Sequence, residues 1–246
     1  MIQGIAGLLM SMLACFELGA FTIILYAASY LPPTLRAWYP WMFHVWCRSF
    51  VRALGVDLRL HQKNVRPIPR QYILIANHPS AFEDVGVPAL FNVRSLAKVE
   101  VKSWYLLGRI SQAAGTLYLR REDRASRRGA RQRIVEELAL GRSLCIYPEG
   151  GCKGRRINSF RHGIFEISQQ TGVPILPVFL HYEAQEDFEW CGQSLPLKIW
   201  QIRIARNRKA NYYVYDAIDP AEYAGKEQYC DAVRAFFLQW QAKYLE

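Results

Sequence analysis

The sequence lacks any pair of cysteines at the C-x-x-C spacing that zinc and redox sites use. Its six cysteines are scattered along the chain, at Cys15, Cys47, Cys145, Cys152, Cys191 and Cys230. This spacing indicates neither a zinc site nor a dithiol redox site, and we expect no metal. Dispersed, unpaired cysteines suit a reducing compartment, so we expect the catalytic part of the chain to face the cytoplasm.

Acidic residues are scarce relative to basic ones. The chain has 31 Lys and Arg against 21 Asp and Glu, a formal net charge of +10. Such a balance favours an anionic partner, either nucleic acid or an anionic membrane surface. A basic nucleic-acid-binding protein would leave the apolar N-terminus without a purpose. No zinc-finger, homeodomain or RNA-recognition signature appears either, so we expect a membrane partner and no nucleic acid.

The N-terminus lacks the positive charge of a secretory signal peptide. Residues 4–31 are almost wholly apolar, a run longer than the h-region of a signal peptide. A run of this length could span a bilayer, which needs roughly 20 residues. The charge of Glu17 argues against a plain lipid-facing span. A buried core helix is the alternative, and membrane association is the favoured interpretation.

Pro32 and Pro33 end this first segment. In the second segment, residues 35–54, aromatic side chains alternate with arginines, which is typical of an interfacial helix. If the first helix crosses the membrane, the arginine excess places the rest of the chain in the cytoplasm. We therefore expect a membrane-associated helical pair in residues 1–54 and a catalytic domain in residues 55–246.

Strand-like and helix-like patterns alternate through the second part of the chain. The expected strands are residues 72–76, 93–99, 116–119, 143–147 and 175–181, with later strands at 199–205 and 212–215. The expected helices are residues 82–91, 103–113, 124–140, 163–170 and 231–244. This alternation predicts an α/β fold with a mixed, largely parallel sheet flanked by helices.

His78 directly follows the first of these buried strands, where catalytic groups of parallel sheets are often displayed. An imidazole can take a proton from a hydroxyl near neutral pH. A carboxylate a few residues on, Glu83 or Asp84, could hold the other ring nitrogen and stabilise the imidazolium. The nucleophile would then be the alcohol of the substrate. The alternative is a structural histidine at the start of a helix whose first turn is acidic.

Two further segments at strand ends carry groups that suit anions. Residues 115–121 run from a glycine through a short strand to Arg121, and arginine is suited to bidentate phosphate binding. Residues 147–151 form a Pro-Gly turn whose amides could cradle an oxyanion, and Glu149 could accept a hydrogen bond from a substrate hydroxyl. The later arginines favour a solvated helix face that meets anionic lipid: Arg124, Arg127, Arg128, Arg131 and Arg133.

Taken together, four segments in order resemble the blocks of the 1-acylglycerol-3-phosphate type of glycerolipid acyltransferase. They are Asn-His-Pro-Ser at 77–80, glycine to arginine at 115–121, Tyr-Pro-Glu-Gly at 147–150 and Val-Pro-Ile-Leu-Pro at 173–177. Each block alone is weak, but the four occur in order at the ends of predicted strands. The resemblance covers roughly residues 70 to 180.

The resemblance implies a transfer of a fatty acyl group from acyl-CoA or acyl-carrier protein to a lysophospholipid, 1-acyl-glycerol-3-phosphate being the first choice. His78 would be the general base, and Arg121 would hold the acceptor phosphate. The last block would support the acyl pocket, and no cofactor is needed. The other implied substrate-binding residues are Glu149 and Gly150 at the acceptor site, Ser80 of the first block, and Lys98.

Two departures from the family pattern bear on this interpretation. The first block normally places Asp five residues after the histidine, where this chain has Glu83 followed by Asp84. Glu83 keeps the register and is favoured as the partner of His78. The third block normally continues Thr-Arg-Ser, where this chain has Gly-Cys-Lys at residues 151–153.

The missing arginine of the third block weakens the case for a plain lysophosphatidic acid site. Lys153, Arg155 or Arg156 could replace it, or the acceptor could be another lysolipid, such as a lyso-aminolipid or a glycerophospholipid. A catalytically inactive membrane lipid-binding protein is the alternative outside the enzyme class.

Overall fold

A seven-stranded mixed sheet forms the centre of the structure, a computed structural model that describes residues 2–245. The strands are β1 Asp57–Gln62, β2 Ile73–Ala76, β3 Arg94–Lys98, β4 Leu117–Leu119, β5 Leu144–Ile146, β6 Ile175–Tyr182 and β7 Lys209–Val214. Their order in the sheet is β1-β7-β6-β2-β5-β3-β4. Neighbouring strands are parallel except β6 and β7, which are antiparallel. The expected mixed, largely parallel sheet is confirmed.

Helices cover the sheet on both faces. They are α1 Ile2–Ala28, α2 Tyr39–Leu54, α3 Glu83–Leu90, α4 Leu107–Ala113, α5 Arg124–Ala139, α6 Gly163–Thr171, α7 Gln185–Phe188, α8 Leu195–Ile204 and α9 Lys226–Leu245. Short 3₁₀ turns occupy Pro33–Leu35, Val99–Ser103 and Pro220–Glu222. The central strands are buried on both sides, as parallel strands under two helical layers must be.

Alternate residues of the central strand β2 enter two separate cores. Leu74 and Ala76 pack in the core that holds α2 and α3, whereas Ile73 and Ile75 pack in the core that holds α6 and α9. This division follows from the strand geometry, because successive side chains point to opposite faces. The sheet is therefore fixed from both sides, and the loops at its carboxyl end are carried by a rigid support.

The first helix lies along the second rather than inside the fold. The Trp46 indole donates to the Thr22 hydroxyl at 2.8 Å, and the Tyr39 hydroxyl donates to the Leu25 carbonyl at 2.8 Å. Glu17 accepts hydrogen bonds from Ser49 and Arg52 of α2. Of the apolar stretch Leu9–Ala28, which is long enough to cross a membrane, only 6% is buried. These contacts and this exposure contradict the alternative of a buried core helix.

One prediction about secondary structure is wrong. Residues 199–205, expected as a strand, belong to helix α8, which carries Pro196 in its first turn. Apolar residues lie on both sides of this helix, so its sequence shows no helical period. A further strand, which the sequence patterns did not predict, is the edge strand β1 at residues 57–62, whose outward residues are polar because one face meets solvent.

One predicted helix is shorter than expected. Residues 103–113 begin with the end of a 3₁₀ turn, and α4 itself starts only at Leu107. Leu106 has a φ of 58°, which interrupts the helical path before that residue. The remaining predicted strands and helices lie within a few residues of their expected positions.

Candidate active site

The His78 segment and the third block meet because β2 and β5 are parallel neighbours. Ile73 pairs with Leu144, so both strands end at the same edge of the sheet. The His78 loop follows β2 directly, and the turn at residues 147–151 follows β5. Asn77 fixes the His78 loop to β6, since its amide accepts from the Leu180 N–H at 2.7 Å and donates to the Leu180 carbonyl at 2.9 Å.

The His78 ring is held by Glu83 rather than by Asp84. His78 Nδ1 lies 3.0 Å from Glu83 Oε2, and both side chains are buried. With the ring proton on Nδ1 donated to this carboxylate, the Nε2 lone pair is left to accept a proton. The pairing sets the tautomer and positions a counter-charge for an imidazolium.

Two donors besides His78 fix the Glu83 carboxylate in its turn. The Ser80 N–H lies 3.0 Å from Oε1 and 3.1 Å from Oε2, and the Tyr182 hydroxyl donates to Oε1 at 2.6 Å. Burial raises the pKa of Glu83, and the hydrogen bonds from Tyr182 and Ser80 oppose that shift. The carboxylate is therefore placed by β6 and by the His78 loop at the same time.

Burial keeps the imidazole of His78 neutral. Desolvation lowers the pKa of His78 to about 4, and the nearby carboxylates of Asp84 and Glu149 only partly oppose this. The ring stacks on Tyr147, with centroids 4.0 Å apart and planes 10° apart. At neutral pH the side chain is thus an uncharged base with a fixed orientation.

A cysteine thiol contacts Nε2, the other nitrogen of the His78 ring. Cys152 Sγ lies 3.2 Å from His78 Nε2 and 3.4 Å from the Ser80 carbonyl. Burial raises the pKa of the Cys152 thiol above its usual range, so the sulfur carries its proton and can donate it to Nε2. Cys152, His78 and Glu83 are aligned in the order of a nucleophile–base–acid set.

The Glu149 side chain forms hydrogen bonds to neighbouring loops and does not face an open cleft. Its Oε1 accepts the His78 N–H at 3.2 Å, and its Oε2 accepts the backbone and side-chain N–H groups of Asn158 at 3.0 and 3.2 Å. Only 2% of the residue is exposed. Both carboxylate oxygens are therefore engaged by the protein, and Glu149 ties the His78 loop to the third-block turn.

A basic cavity of about 380 Å³ opens beside the third-block turn. Its floor is apolar, and Tyr147, the ring that stacks on His78, forms part of its wall. Six arginines line it: Arg121, Arg124, Arg127, Arg128, Arg131 and Arg161. Arg131 is paired with Glu166 at 2.8 Å. Among the residues that the structure describes, no carboxylate lies within ion-pair distance of Arg121 or Arg161.

Two glycines let these two unpaired arginines approach the turn. A Cβ on Gly150, whose φ is 77°, would lie 2.5 Å from Arg161 Nε, and a Cβ on Gly151 would lie 2.8 Å from Arg121 Nη1. Side chains at these positions would push the guanidinium groups away. The glycines thus allow two cations to lie next to the turn, where Arg121 is half-buried and Arg161 is exposed. The two positive charges repel each other unless an anion binds.

An apolar cavity of about 100 Å³ lies on the other side of the His78 loop. It is enclosed by α2, α3, α4 and α8, and its wall includes Phe82 and Asp84 of the His78 segment. Asp84 faces this cavity, and burial raises the pKa of its carboxyl. His78 itself lines neither cavity: its stacking partner Tyr147 lines the basic one, and Phe82 and Asp84 of its own loop line the apolar one.

The structure brings His78, Glu83, Asp84, Glu149, Gly150 and Arg121 together, gives Ser80 a supporting place behind Glu83, and leaves Lys98 apart. Ser80 is fully buried, and its N–H, hydroxyl and carbonyl all serve neighbouring groups. Lys98 is exposed at the end of β3 and is not among the residues that line the basic cavity. Residues 173–177 lead into and begin β6, and they do not line the apolar cavity.

The arginines of α5 lie partly where expected. Arg124, Arg127 and Arg128 are exposed, but they also line the basic cavity together with Arg131. Arg161 stands beside Arg121, whereas Lys153, Arg155 and Arg156 are exposed outside that lining. A helix face cannot be assigned to solvent or to a cavity until its neighbours are placed.

Four residues near the site were not predicted from the sequence as members of it: Cys152, Asn158, Arg161 and Tyr182. The departure at residues 151–153 was the signal for Cys152, but nothing local shows that its thiol reaches His78. Arg161 could have been sought next to the Gly163 helix start. Tyr182 lies 99 residues from Glu83, so only the tertiary contact shows the pair.

The chain was compared with known protein families. The family described as Acyltransferase matches residues 57–181, about half of the chain. Within the part that the structure describes, no group of three or more His, Cys, Asp and Glu residues could hold a metal ion. The matched range begins at β1 and ends in β6, so it contains the His78 and third-block loops.

Relatives of known activity match at moderate identity. The lyso-ornithine lipid O-acyltransferase of Pseudomonas aeruginosa is 34% identical over 139 residues, which are 56% of this chain and 52% of that protein. The 1-acyl-sn-glycerol-3-phosphate acyltransferase of Neisseria meningitidis is 26% identical over 201 residues, 76% of this chain and 77% of that one. The chain thus spans about half the length of the first relative and three quarters of the second.

A solved structure shares the fold along the whole chain. The crystal structure of the 1-acyl-sn-glycerophosphate acyltransferase from Thermotoga maritima superposes with a TM-score of 0.65 and 19% identity. The match covers 98% of this chain and 96% of that one. At this identity the likeness concerns the arrangement of helices and strands alone.

Proposed function

The chain belongs to the acyltransferase family, and we propose that it transfers a fatty acyl group from a thioester donor to the free hydroxyl of a lysophospholipid. One observation carries this proposal. His78 is neutral, its Nδ1 is held by Glu83, and its Nε2 is met by a thiol that a substrate hydroxyl can replace. This is the arrangement that a general base needs.

The chemistry follows from the two ring nitrogens of His78. The acceptor hydroxyl displaces the Cys152 thiol and donates its proton to Nε2 while its oxygen attacks the thioester carbonyl. Glu83 stabilises the imidazolium that forms. The tetrahedral intermediate then collapses, the thiolate of the donor leaves, and His78 returns the proton to the sulfur of that leaving thiolate. We assign the developing oxyanion to backbone amides of the third-block turn, because Tyr147 of this turn and Cys152 directly after it contact the His78 ring.

The basic cavity suits the anionic head group of the acceptor. Arg121 and Arg161 lie unpaired beside Gly150 and Gly151 at the end of the cavity next to Tyr147. A phosphate between them would relieve their repulsion and could accept bidentate hydrogen bonds. The excess of arginine over acid in this cavity supports a phosphate-bearing acceptor, of which 1-acyl-glycerol-3-phosphate is the simplest.

The apolar cavity suits an acyl chain. Its wall is formed mainly by aliphatic and aromatic residues of α2, α4 and α8, and it reaches the His78 segment at Phe82. A chain seated there would place its carbonyl or glycerol end next to the imidazole. Holding alcohol and thioester together in this way would supply much of the rate acceleration.

A second acceptor class is supported by a specific observation. The Pseudomonas relative with 34% identity is named as acting on a lyso-ornithine lipid, and this chain lacks the third-block arginine of the family pattern described above. An ornithine head group has a carboxylate that the same arginines could bind. The alternative function is therefore acyl transfer to a lyso-aminolipid by the same base.

We further propose that the enzyme works at a membrane with its catalytic face towards the cytoplasm. The exposed apolar helix α1 and the net charge of +10 support attachment to an anionic bilayer. The free thiols of the described cysteines support a reducing compartment. The donor, acyl-CoA or acyl-carrier protein, would come from that side.

The function can be tested on the purified chain in mixed micelles. Acyl-CoA and acyl-carrier protein are each combined with 1-acyl-glycerol-3-phosphate, lyso-ornithine lipid and lysophosphatidylcholine, and the diacyl product is measured by mass spectrometry. His78→Ala should lower the rate by about 10³-fold or more. His61→Ala, on the edge strand β1, is the matched control and should keep the rate.

The outcomes separate the candidates. Product from a phosphate-bearing acceptor supports the first function, and product from the lyso-ornithine lipid alone supports the second. If neither donor releases its thiol with any of the acceptors, the chain is a catalytically inactive lipid-binding protein. Full activity of His78→Ala would reject the base.

A further inference from the structure

Helix α8 is apolar on both of its sides. Its inner side contributes Leu195, Ile199 and Ile202 to the wall of the apolar cavity. Its outer side exposes Leu197, Trp200 and Ile204, at 47%, 60% and 59% of their surface. The polar residues of this helix are withdrawn from the surface, Lys198 being buried and Gln201 and Arg203 half-buried. A contiguous apolar face that stays exposed usually marks contact with protein or lipid. On the described surface this face is not covered by protein.

The outer side of α8 lies next to the exposed part of α1. The Arg203 guanidinium donates a hydrogen bond to the Ser11 hydroxyl of α1. Ser11 belongs to the apolar stretch Leu9–Ala28, and its neighbours Met10 and Met12 are exposed. The exposed face of α8 therefore continues an apolar surface that α1 begins.

The folded body holds α1 at several levels, which fixes the position of α8 relative to it. Arg109 of α4 donates to the Ser29 hydroxyl at 3.0 Å, while Arg203 holds Ser11. Eighteen residues of helix separate these two contacts, a length of roughly 27 Å. Both ends of the apolar stretch are thus bound to the same body. A membrane that covers α1 must also meet α8.

We propose that the outer face of α8 is a second membrane-contact surface, which lies in the apolar part of one leaflet. The occupant is the bilayer, because the patch is continuous with α1 and centred on a tryptophan, a residue that settles at membrane interfaces. A single helix then separates the lipid from the apolar cavity. On the proposed function, acyl chains reach His78 past α8 without crossing water.

The proposal can be tested by placing a charge on this face. Trp200→Asp should lower acyl transfer to a lysolipid embedded in anionic vesicles by about tenfold or more, because an aspartate is costly inside a bilayer. Its rate with a water-soluble, short-chain lysolipid should stay within about twofold of the wild type. Trp200→Leu, which keeps the face apolar, should retain the vesicle rate.

The matched control is Leu140→Asp. Leu140 is exposed to a similar degree, 64%, but lies at the end of α5, a helix that packs against β4 and α6. This variant should keep its vesicle rate. If Trp200→Asp keeps it too, or if it loses the short-chain activity equally, the proposal is overturned.

A second measurement does not depend on activity. Lipids brominated in their acyl chains quench tryptophan fluorescence on contact, so wild-type protein on such vesicles should lose more emission than Trp200→Leu does. Equal losses would contradict the proposal. The protein could instead form dimers in solution that the Trp200→Asp substitution dissociates, with no difference in quenching. That result would assign this face to a second copy of the chain and overturn the proposal. This readout decides the α8 surface even if no acceptor is acylated and the proposed function fails.

Discussion

The thiol sulfur of Cys152 lies 3.2 Å from Nε2 of His78, at the ring nitrogen that Glu83 leaves free. In the proposed mechanism this nitrogen must accept the proton of the substrate hydroxyl. A neutral thiol is a weak hydrogen-bond donor, so a hydroxyl can replace it at small cost. The resting site is therefore closed by a weakly bound side chain.

Replacing that thiol by a stronger donor should hinder the acceptor. Cys152→Ser should raise the KM of the lysolipid by about threefold to tenfold, since the serine hydroxyl forms a better hydrogen bond to Nε2. Cys152→Ala should keep kcat within about threefold of the wild type. Steady-state kinetics of both variants against acceptor concentration measure this. The proposal fails if Cys152→Ala loses kcat and the wild-type enzyme carries an acyl group on this cysteine. The thiol would then be a nucleophile.

The acid limb of the pH profile should lie unusually low. Burial lowers the pKa of His78 to about 4, so the protonated, inactive imidazolium forms only as the pH falls towards that value. We expect kcat/KM to stay constant from neutrality down to about pH 5 and to fall below it. Rate profiles with the short-chain acceptor test this. A midpoint of inactivation near 6.5, the ordinary pKa of histidine, would show that the neighbouring carboxylates stabilise the charged ring as much as burial opposes it.

The two carboxylates of the first block should differ strongly in their effect. Glu83→Gln removes the charge that positions His78 and stabilises its imidazolium, so kcat should fall by about 10²-fold or more. Asp84→Asn alters a group in the apolar cavity wall, and kcat should fall by less than about tenfold. Thermal unfolding of each variant separates catalytic loss from damage to the fold. Equal, mild losses would reject the His78–Glu83 pair.

Arginines inside and outside the basic cavity give a matched comparison. Arg121→Ala and Arg161→Ala should each raise the KM of a phosphate-bearing acceptor by about tenfold or more, as each removes a charge-assisted hydrogen bond. Arg133 belongs to α5 but does not line the cavity, so Arg133→Ala should not change this KM. If all three variants behave alike, the effect is a general loss of positive charge, and the cavity does not bind the head group.

Much of the fold could be read from local patterns. The strand β2 and the helix α5 were predictable. A buried strand leaves a short run of apolar residues in the sequence, and a helix is often followed by a glycine, as α5 is by Gly141. The motif around His78 was predictable for the same reason. A histidine, a carboxylate five residues later and a strand before them lie close in the chain.

Helix α8 shows where such reading fails. Its residues 199–205 alternate like a strand because the helix meets an apolar cavity on one side and an apolar exterior on the other. An amphipathic period arises when one helix face is polar and the opposite face is apolar, whereas α8 has apolar residues on its inner and its outer side. The edge strand β1 is the opposite case, too polar to resemble a buried strand.

By itself the sequence determined the order of most strands and helices, the acyltransferase motifs and the choice of Glu83 as the residue in register with His78. Only the tertiary structure decided which groups meet across long chain separations. Cys152 reaches His78 over 74 residues and Tyr182 reaches Glu83 over 99. The reason is physical: hydrophobic periodicity and turns act over a few residues, whereas a site forms where parallel strands and their loops converge.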